Sequence, residues 1–512
     1  MSKKAVFKRY VQNQPMLLPP SLDELIPEKH PVRVVDEVIE RINIGELEQS
    51  YKGGGTSSYH PRMLLKVLVY GYLRNIYSSR KIEQSLTENV HFMWLTGGAK
   101  PDHNTINDFR GKRLKEHLQK IFSQVVVLLA EEGVLSLKEI TLDGTKLEAN
   151  ANRYTFVWGK AIKTSRERIE KQLNELWKYV EEVYREEENT PTKPEFKEIN
   201  PESVSRAIEE INEALKVKSI DKKVKQKLNY ARKNWTKKLS EYDEKEQILK
   251  GRGSYSKTDK EATFMRMKDD HMMNGQLKPG YNLQASTSGH YLVNYTLGQS
   301  PTDTNLLKDH LEKHVESYGN NPENITADAG YGSEENYDYL AEKEIQAFVK
   351  YNYFEKEQTG KKHQQNPFLA DNLYYNQETD TYYCPIGQPM KRIGTKKQKT
   401  KTGYIQQINQ YQAQNCTSCP MRSGCHKSTG NRIIGRNQNL IKRRKEIREL
   451  LESEIGVVKR KERWKVEAVI GNIKHNKGFK RFNLRGLQKA GIEVGLIALA
   501  HNLNHFGLER SH

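Results

Sequence analysis

The chain is 512 residues long, too long for one ordinary compact core, so two to four domains or large insertions are expected. Its 84 Lys and Arg against 65 Asp and Glu give a formal net charge of +19, which points to a polyanionic partner and above all to nucleic acid. No apolar run is long enough to span a membrane, and the basic start (MSKKAVFKRYVQNQ) lacks the apolar stretch of a secretory signal, so a cytosolic protein is expected.

In chain order, residues 16–50 show short amphipathic patterns (LDELI, VRVVDEVIERI), and YKGGGTSSY at 51–59 reads as a glycine linker. Its glycines resemble a phosphate cradle, but no Gly-Lys-Ser/Thr follows them. From Pro61, PRMLLKVLVYGYLRN reads as a buried helix begun by proline. SRKIEQSLTENVHFMWL follows, and a Gly97–Gly98 turn comes next. PDHNTINDFRGKRLKEHLQKIF then predicts one helix started by Pro101 and Asp102, with Asn, Thr, Arg and Lys on one side. Short helices ending in a basic, amide-rich one suit an N-terminal all-α, helix-turn-helix-like DNA-binding domain over 1–130, or a plain helical bundle with a polar face.

Residues 139–158 switch to a strand-like run, ITLD, that ends in Asp143. Ile162, Ile169, Leu173, Leu176, Val180 and Val183 then fall at coiled-coil-like spacing, and Val224, Leu228, Ala231, Trp235 and Leu239 repeat it after TPTKPEF. This predicts a helical-hairpin insertion over 161–250. YNLQASTSGHYLVNYTL at 281–297 predicts a β-hairpin turned at Ser-Gly. A helix is expected around 303–317, and a second apolar strand, ITAD, ends in Asp328. The order of strands and helices predicts an α/β core with mixed sheet pairing, made of 138–160, 251–352 and 440–512.

Residues 353–432 are polar, Tyr-rich and cysteine-bearing, with Cys384 in YYCPIG and Cys416, Cys419 and Cys425 in CTSCPMRSGC. A CxxC turn plus two further thiols matches a tetrahedral structural Zn²⁺ site, with His426 able to replace one ligand. Such an ion would supply folding energy to a segment with little apolar content of its own. A redox CxxC is the rival, without the βαβ context it needs.

Asp143 and Asp328 each precede a small residue, Gly144 and Ala329, at the predicted ends of strands, where side chains reach into an open cleft. In KRKERWKVEAVIGNIKHNKGFKRF, helical spacing aligns Arg463, Glu467, Gly471 and Lys474 on one side. It sends Val466, Val469, Ile470 and Ile473 to the other. Thr302-Asp303 and Asp259 lie near the core strands without an assigned role.

These segments together resemble bacterial insertion-sequence transposases of the IS4/IS5-like DDE superfamily, and most nearly its IS1182 group. That group carries a Tyr, Arg, Glu, Lys signature, and Arg463, Glu467 and Lys474 match its last three positions, while Arg460 stands at the Tyr position. DGTKLEANANRYTFVW, ADAGYGS and the PRMLLKVLVYGYLRN…DHNTINDFR region resemble the family's other motifs. The resemblance implies an RNase H-like catalytic core in which Asp143, Asp328 and Glu467 hold two Mg²⁺ or Mn²⁺ ions for phosphodiester chemistry. It implies Arg463 and Lys474 as DNA-phosphate contacts, double-stranded transposon-end and target DNA as partners, a homodimer at synapsis, and a bacterial, nucleoid-associated location. The implied activity is cleavage at terminal inverted repeats followed by strand transfer. The alternatives are a DNA-binding regulator or domesticated transposase without catalysis, and an RNase H-like nuclease without strand transfer.

Overall fold

The computed structural model describes residues 21–51, 57–185, 199–216, 218–267, 275–358 and 366–510. Most of the glycine linker and all of TPTKPEF lie outside them. The chain divides into two compact units, residues 1–134 with 494–512, and residues 135–493.

The first unit is helical. Pro61–Leu73 is buried on nearly every face, and His60 caps it by accepting from the Arg62 N–H through Nδ1 at 3.2 Å. Pro61 at the first helical position loses nothing by lacking an N–H there. The single helix expected from Asp102 onward is not formed. Asp102 does cap a helix, accepting from the Thr105 N–H at 2.6 Å, but His103–Asp108 gives way to a π turn at Phe109–Arg113 and a 3₁₀ turn before Leu118–Glu131 begins. Arg110, in the stretch expected to carry a polar, basic side, is buried and donates to the Tyr77 carbonyl at 2.6 Å, to Tyr72 Oη at 3.3 Å and to Asn107 Oδ1 at 3.2 Å. A guanidinium drawn inward to these acceptors suits the widened π turn around it. The end of the last helix, Leu487–Glu509, also belongs to this unit, where sequence reading had placed 440–512 with the catalytic segments. Gly507 leaves only 3.3 Å between a virtual Cβ and Val34 Cγ2, and Arg510 pairs with Glu37 at 2.8 Å.

The second unit holds a six-stranded sheet: β1 (Glu139–Glu148), β2 (Thr263–Arg266), β3 (Leu277–Ser288), β4 (Tyr291–Gly298), β5 (Asn324–Ala327) and β6 (Gln346–Val349). Their order is β2-β3-β1-β5-β6, with β4 also paired to β3. β1 runs antiparallel to β3 and parallel to β5, and β5 runs parallel to β6. The architecture is therefore mixed α/β. The β3–β4 hairpin turns at Gly289, whose φ of +59 is a conformation glycine adopts without a steric cost. β1 is longer than the sequence suggests, and Asp143 lies within it rather than at its end. The parallel pairing with β5 nevertheless stops at Leu142↔Ala327, so Asp143 and Asp328 are the next residues on the two strands.

His310, on the helix Leu307–Tyr318, is buried against this sheet, with Ser286 Oγ 2.6 Å from Nε2 and Thr296 Oγ1 2.8 Å from Nδ1. Burial, then the nearby His314, lowers its pKa to about 3. Between that value and the ordinary 6.5, the unfolded chain binds the proton and the folded chain does not. Stability is thus full above the unfolded pKa and falls with pH below it, by at most about 1.4 kcal/mol per pH unit for this group. Urea midpoints measured from pH 7 to pH 5 should decline, and His310→Gln should flatten that decline. An equal slope in both proteins would refute this role.

The expected helical hairpin is instead three helices, Gly159–Val183, Pro201–Leu215 and Lys222–Leu249. The middle one begins with an Asn200–Ser203 capping box and contributes Val204, Ala207, Ile208 and Ile211 to a core with Trp177 and Trp235. Two adjacent stripes need a third apolar face to exclude water from two indoles. A two-stranded ribbon, Phe156–Trp158 with Ser254–Ser256, stands where the chain leaves and re-enters the sheet domain.

The cysteine-bearing segment does form a core of its own, contrary to expectation. A five-stranded antiparallel sheet is built from β7 (Tyr374–Asn376), β8 (Thr381–Tyr383), β9 (Pro389–Lys399), β10 (Ile405–Ala413) and β11 (Ile433–Arg436). It buries Leu373, Tyr382, Met390, Tyr411, Ala413 and Ile434. The aromatic content that made the segment look polar supplies this core, because the Tyr411 and Tyr375 hydroxyls both reach Asp380.

Candidate active site

Glu467 lies on the helix Trp464–Gly471, which buries Val466, Val469 and Ile470. Arg463 stands just before it. The Arg463 Nη2 donates to Glu467 Oε1 at 2.5 Å, and Nη1 lies 3.9 Å from Asp143 Oδ1 and 3.7 Å from Asp328 Oδ2. One guanidinium thus faces the three carboxylates singled out in the sequence, brought from two strands and a late helix. Asp143 is buried, Asp328 partly exposed and Glu467 more open, with side-chain exposures of 8%, 34% and 55%. The three acids thus grade from a buried one to an accessible one. Arg463 Nη1 is buried without a hydrogen-bond partner among the described residues, so it offers donor capacity beside the acids.

Lys474 lies in a π turn, Asn472–Asn476, that follows the Glu467 helix. The turn carries it inward, where it is buried with Nζ 3.3 Å from Thr145 Oγ1 on β1. Arg463 therefore faces the carboxylates, and Lys474 reaches the strand that bears Asp143. Among the described residues, no group of three or more His, Cys, Asp or Glu is closed into a metal-holding arrangement. The carboxylates meet at a shared counter-charge instead.

Sequence reasoning missed the residues behind Asp143 and Asp328. Gly144 is paired with Gln284, and a Cβ on Gly144 would stand 2.4 Å from Asp303 Oδ1 and 2.9 Å from Gln284 Nε2. Asp303 Oδ1 accepts from Asn282 Nδ2 at 2.7 Å and Gln284 Nε2 at 3.1 Å, while Gln284 Oε1 accepts from the Tyr331 hydroxyl. Thr304 Oγ1 donates to the Gly330 carbonyl at 2.6 Å. This network, buried at Asn282, Gln284 and Tyr331 and half-buried at Asp303, ties the turn after Asp328 to β3. Burial raises the Tyr331 pKa well above its ordinary value, and the charges of Asp303, Asp143 and Asp328 add to the rise. The phenol therefore stays protonated and donating. The only signal in the sequence was an acid in SPTDTN soon after a strand, together with a glycine beside a candidate catalytic acid.

Cys384, Cys416, Cys419 and Cys425 line one cavity of about 20 Å³, together with His426 and Arg432. The Arg432 guanidinium donates to Cys425 Sγ at 3.1 Å. His426 Nδ1 is 2.7 Å from Ser428 Oγ, and its Nε2 is buried without a hydrogen-bond partner among the described residues.

Two domain families match the chain. Residues 20–112 match a Transposase domain (DUF772), and residues 383–506 match a Transposase DDE domain. The second match takes in Glu467, Arg463, Lys474 and all four cysteines, and it begins after Asp143 and Asp328. No curated protein matches the chain. The two matches occur in the same order as the helical unit and the Glu467 segment to which sequence reading gave the same identity. The chain is a DNA transposase of the DDE superfamily.

Proposed function

We propose that Asp143, Asp328 and Glu467 are the catalytic carboxylates of this transposase. In this reading it binds the terminal inverted repeats of an insertion sequence, cuts at their junctions with flanking DNA and joins the freed 3′-hydroxyls to target DNA. The observation that carries the reading is the convergence of acids from three separate chain segments on Arg463. The strand order β2-β3-β1-β5-β6, with β3 antiparallel to its neighbour, supports an RNase H-like core. Three carboxylates sharing one counter-charge are a hard-oxygen donor set that fits Mg²⁺ or Mn²⁺. Two such ions, when bound, activate the attacking oxygen and stabilise the leaving one.

The chain's own residues hold this chemistry in place. β1 and β5 set Asp143 and Asp328 side by side, and the Asp303–Gln284–Tyr331 network positions the Asp328 turn. Arg463, through Nη1, is the proposed contact for a phosphate oxygen beside the scissile bond. Lys474 acts through Thr145 on the strand that bears Asp143, and adds positive charge beneath the same phosphate. The helical N-terminal unit is the proposed reader of the repeat, and two copies of the chain are expected where two ends are synapsed.

The thiols of Cys384, Cys416, Cys419 and Cys425 are the proposed ligands of a structural Zn²⁺. Their shared cavity is large enough for one small occupant, and His426 Nε2, without a hydrogen-bond partner among the described residues, is a further donor beside it. The purified chain should carry about one zinc per chain, and Cys416→Ser with Cys419→Ser should abolish it and lower the melting temperature. Metal-free protein whose melting is insensitive to chelator would refute this part.

Incubating the protein and Mg²⁺ with duplexes bearing the repeats that flank its gene tests the function as a whole. Joined strands are expected. Cleavage without joining would favour a nuclease, and binding without cleavage a regulator.

A further inference from the structure

β9 and β10 form a hairpin whose charge the proposed chemistry does not use. From Pro389 to Tyr411 the chain carries Lys391, Arg392, Lys396, Lys397, Lys399 and Lys401 and no Asp or Glu. Every β9 residue from Lys391 to Lys399 is exposed. β8 pairs with β9 only as far as Lys391, and β11 pairs with β10 only from Asn409 onward, so the outer part of the hairpin is a two-stranded ribbon. Lys397 pairs with Gln407 and Lys399 with Ile405, all of them exposed, while Thr395 pairs with the half-buried Asn409. One face therefore presents amines, amides and a hydroxyl beside the exposed Ile405.

Edge strands often carry lysine simply to discourage pairing with other chains. Charge of either sign does that, and mixed signs are the norm on a protein surface. A single-sign run that continues into the turn at Lys401 goes beyond that need.

The turn end of the ribbon is also held in a definite place. Thr402 Oγ1 donates to Glu335, Tyr404 Oη to Asp338 Oδ2 at 2.5 Å, and Gln406 Nε2 to Glu334 Oε2 at 2.9 Å. These acceptors lie on the helix Glu334–Glu342, which follows directly on the Asp328 turn. Glu334, Glu335 and Asp338 of that helix thus fix the ribbon, and the β9 lysines remain outward.

We propose that the β9–β10 ribbon is a duplex-DNA track that leads the phosphate backbone to the Asp328 side of the active site. The inference rests on the transposase reading above and adds the surface that carries the DNA. A two-stranded ribbon fits the major groove, and a run of lysines with no carboxylate gains by releasing counterions from phosphates.

The test measures binding of the full-length protein to a short duplex across a salt series, without divalent metal, for the wild type and for Lys396, Lys397, Lys399 and Lys401 each changed to Gln together. The expected result is at least about tenfold weaker binding, with a salt dependence shallower by about 0.9 in log–log slope per lost phosphate contact. Changing the same four to Arg should restore binding. Because these side chains are exposed, the thermal midpoint should stay within about 1 °C in both variants, since surface changes cost little stability. Wild-type affinity and slope in the Gln variant would overturn the proposal. Asp143→Asn separates the two readings, because it should stop cleavage while leaving the salt slope unchanged.

Discussion

Asp143→Asn and Asp328→Asn should each lower cleavage of end-bearing DNA by at least about 10²–10³-fold, the scale on which one preorganised transition-state contact acts. Binding of the same duplex should hold or tighten, since each change removes a negative charge near phosphate. Each Asn keeps the shape of the side chain and loses the charge that faces Arg463 at 3.9 Å or 3.7 Å. Folding should therefore survive, and a thermal melt run beside the cleavage assay checks it. If either variant cleaves at the wild-type rate, that residue is not part of the site.

Gly144→Ala is expected to damage stability and activity together. The added Cβ would meet Asp303 Oδ1 at 2.4 Å and Gln284 Nε2 at 2.9 Å, both closer than real Cβ contacts allow. Relief requires moving the buried Gln284 and the half-buried Asp303 that is hydrogen-bonded to it, at a cost of about 1–3 kcal/mol. The same movement releases Tyr331 and the turn that holds Asp328, so cleavage should fall by about 10–100-fold, as when an outer-shell partner is lost. Asp303→Asn should reproduce much of the activity loss with a smaller effect on the melt, because the shape is kept. Wild-type melting and cleavage in Gly144→Ala would show that the network is slack.

The helix and strand signals nearest the chemistry were legible because local pattern and burial agree there. ITLD and ITAD do form neighbouring strands, and Val466, Val469, Ile470 and Ile473 do turn inward behind Glu467. The places that escaped reading are decided by contacts distant in sequence. Arg110 belongs to a stretch read only as polar and basic on one side, and its burial is decided by acceptors from Tyr72 and Tyr77 inside the fold. The helix Pro201–Leu215 has a strong cap and apolar stripe of its own, yet two long flanking stripes suggested a closed hairpin without it. Lys474 keeps its signature spacing, but a π turn adds the rotation that buries it against Thr145. Asp303 is the sharpest case: its place near the core strands was visible but gave it no role, which is set by Asn282, Gln284 and the missing side chain at Gly144.

The central claim is that Asp143, Asp328 and Glu467 bound one divalent-metal site, although they come from three distant parts of the chain. Loading the protein with Fe²⁺ in place of Mg²⁺, then adding ascorbate and peroxide, generates hydroxyl radicals at the ion and cuts the nearby backbone. The account predicts fragments ending near residues 143, 328 and 467, all suppressed by excess Mg²⁺ and all weakened in Glu467→Gln. Cuts at only one of the three segments, or cuts that Mg²⁺ does not suppress, would contradict it.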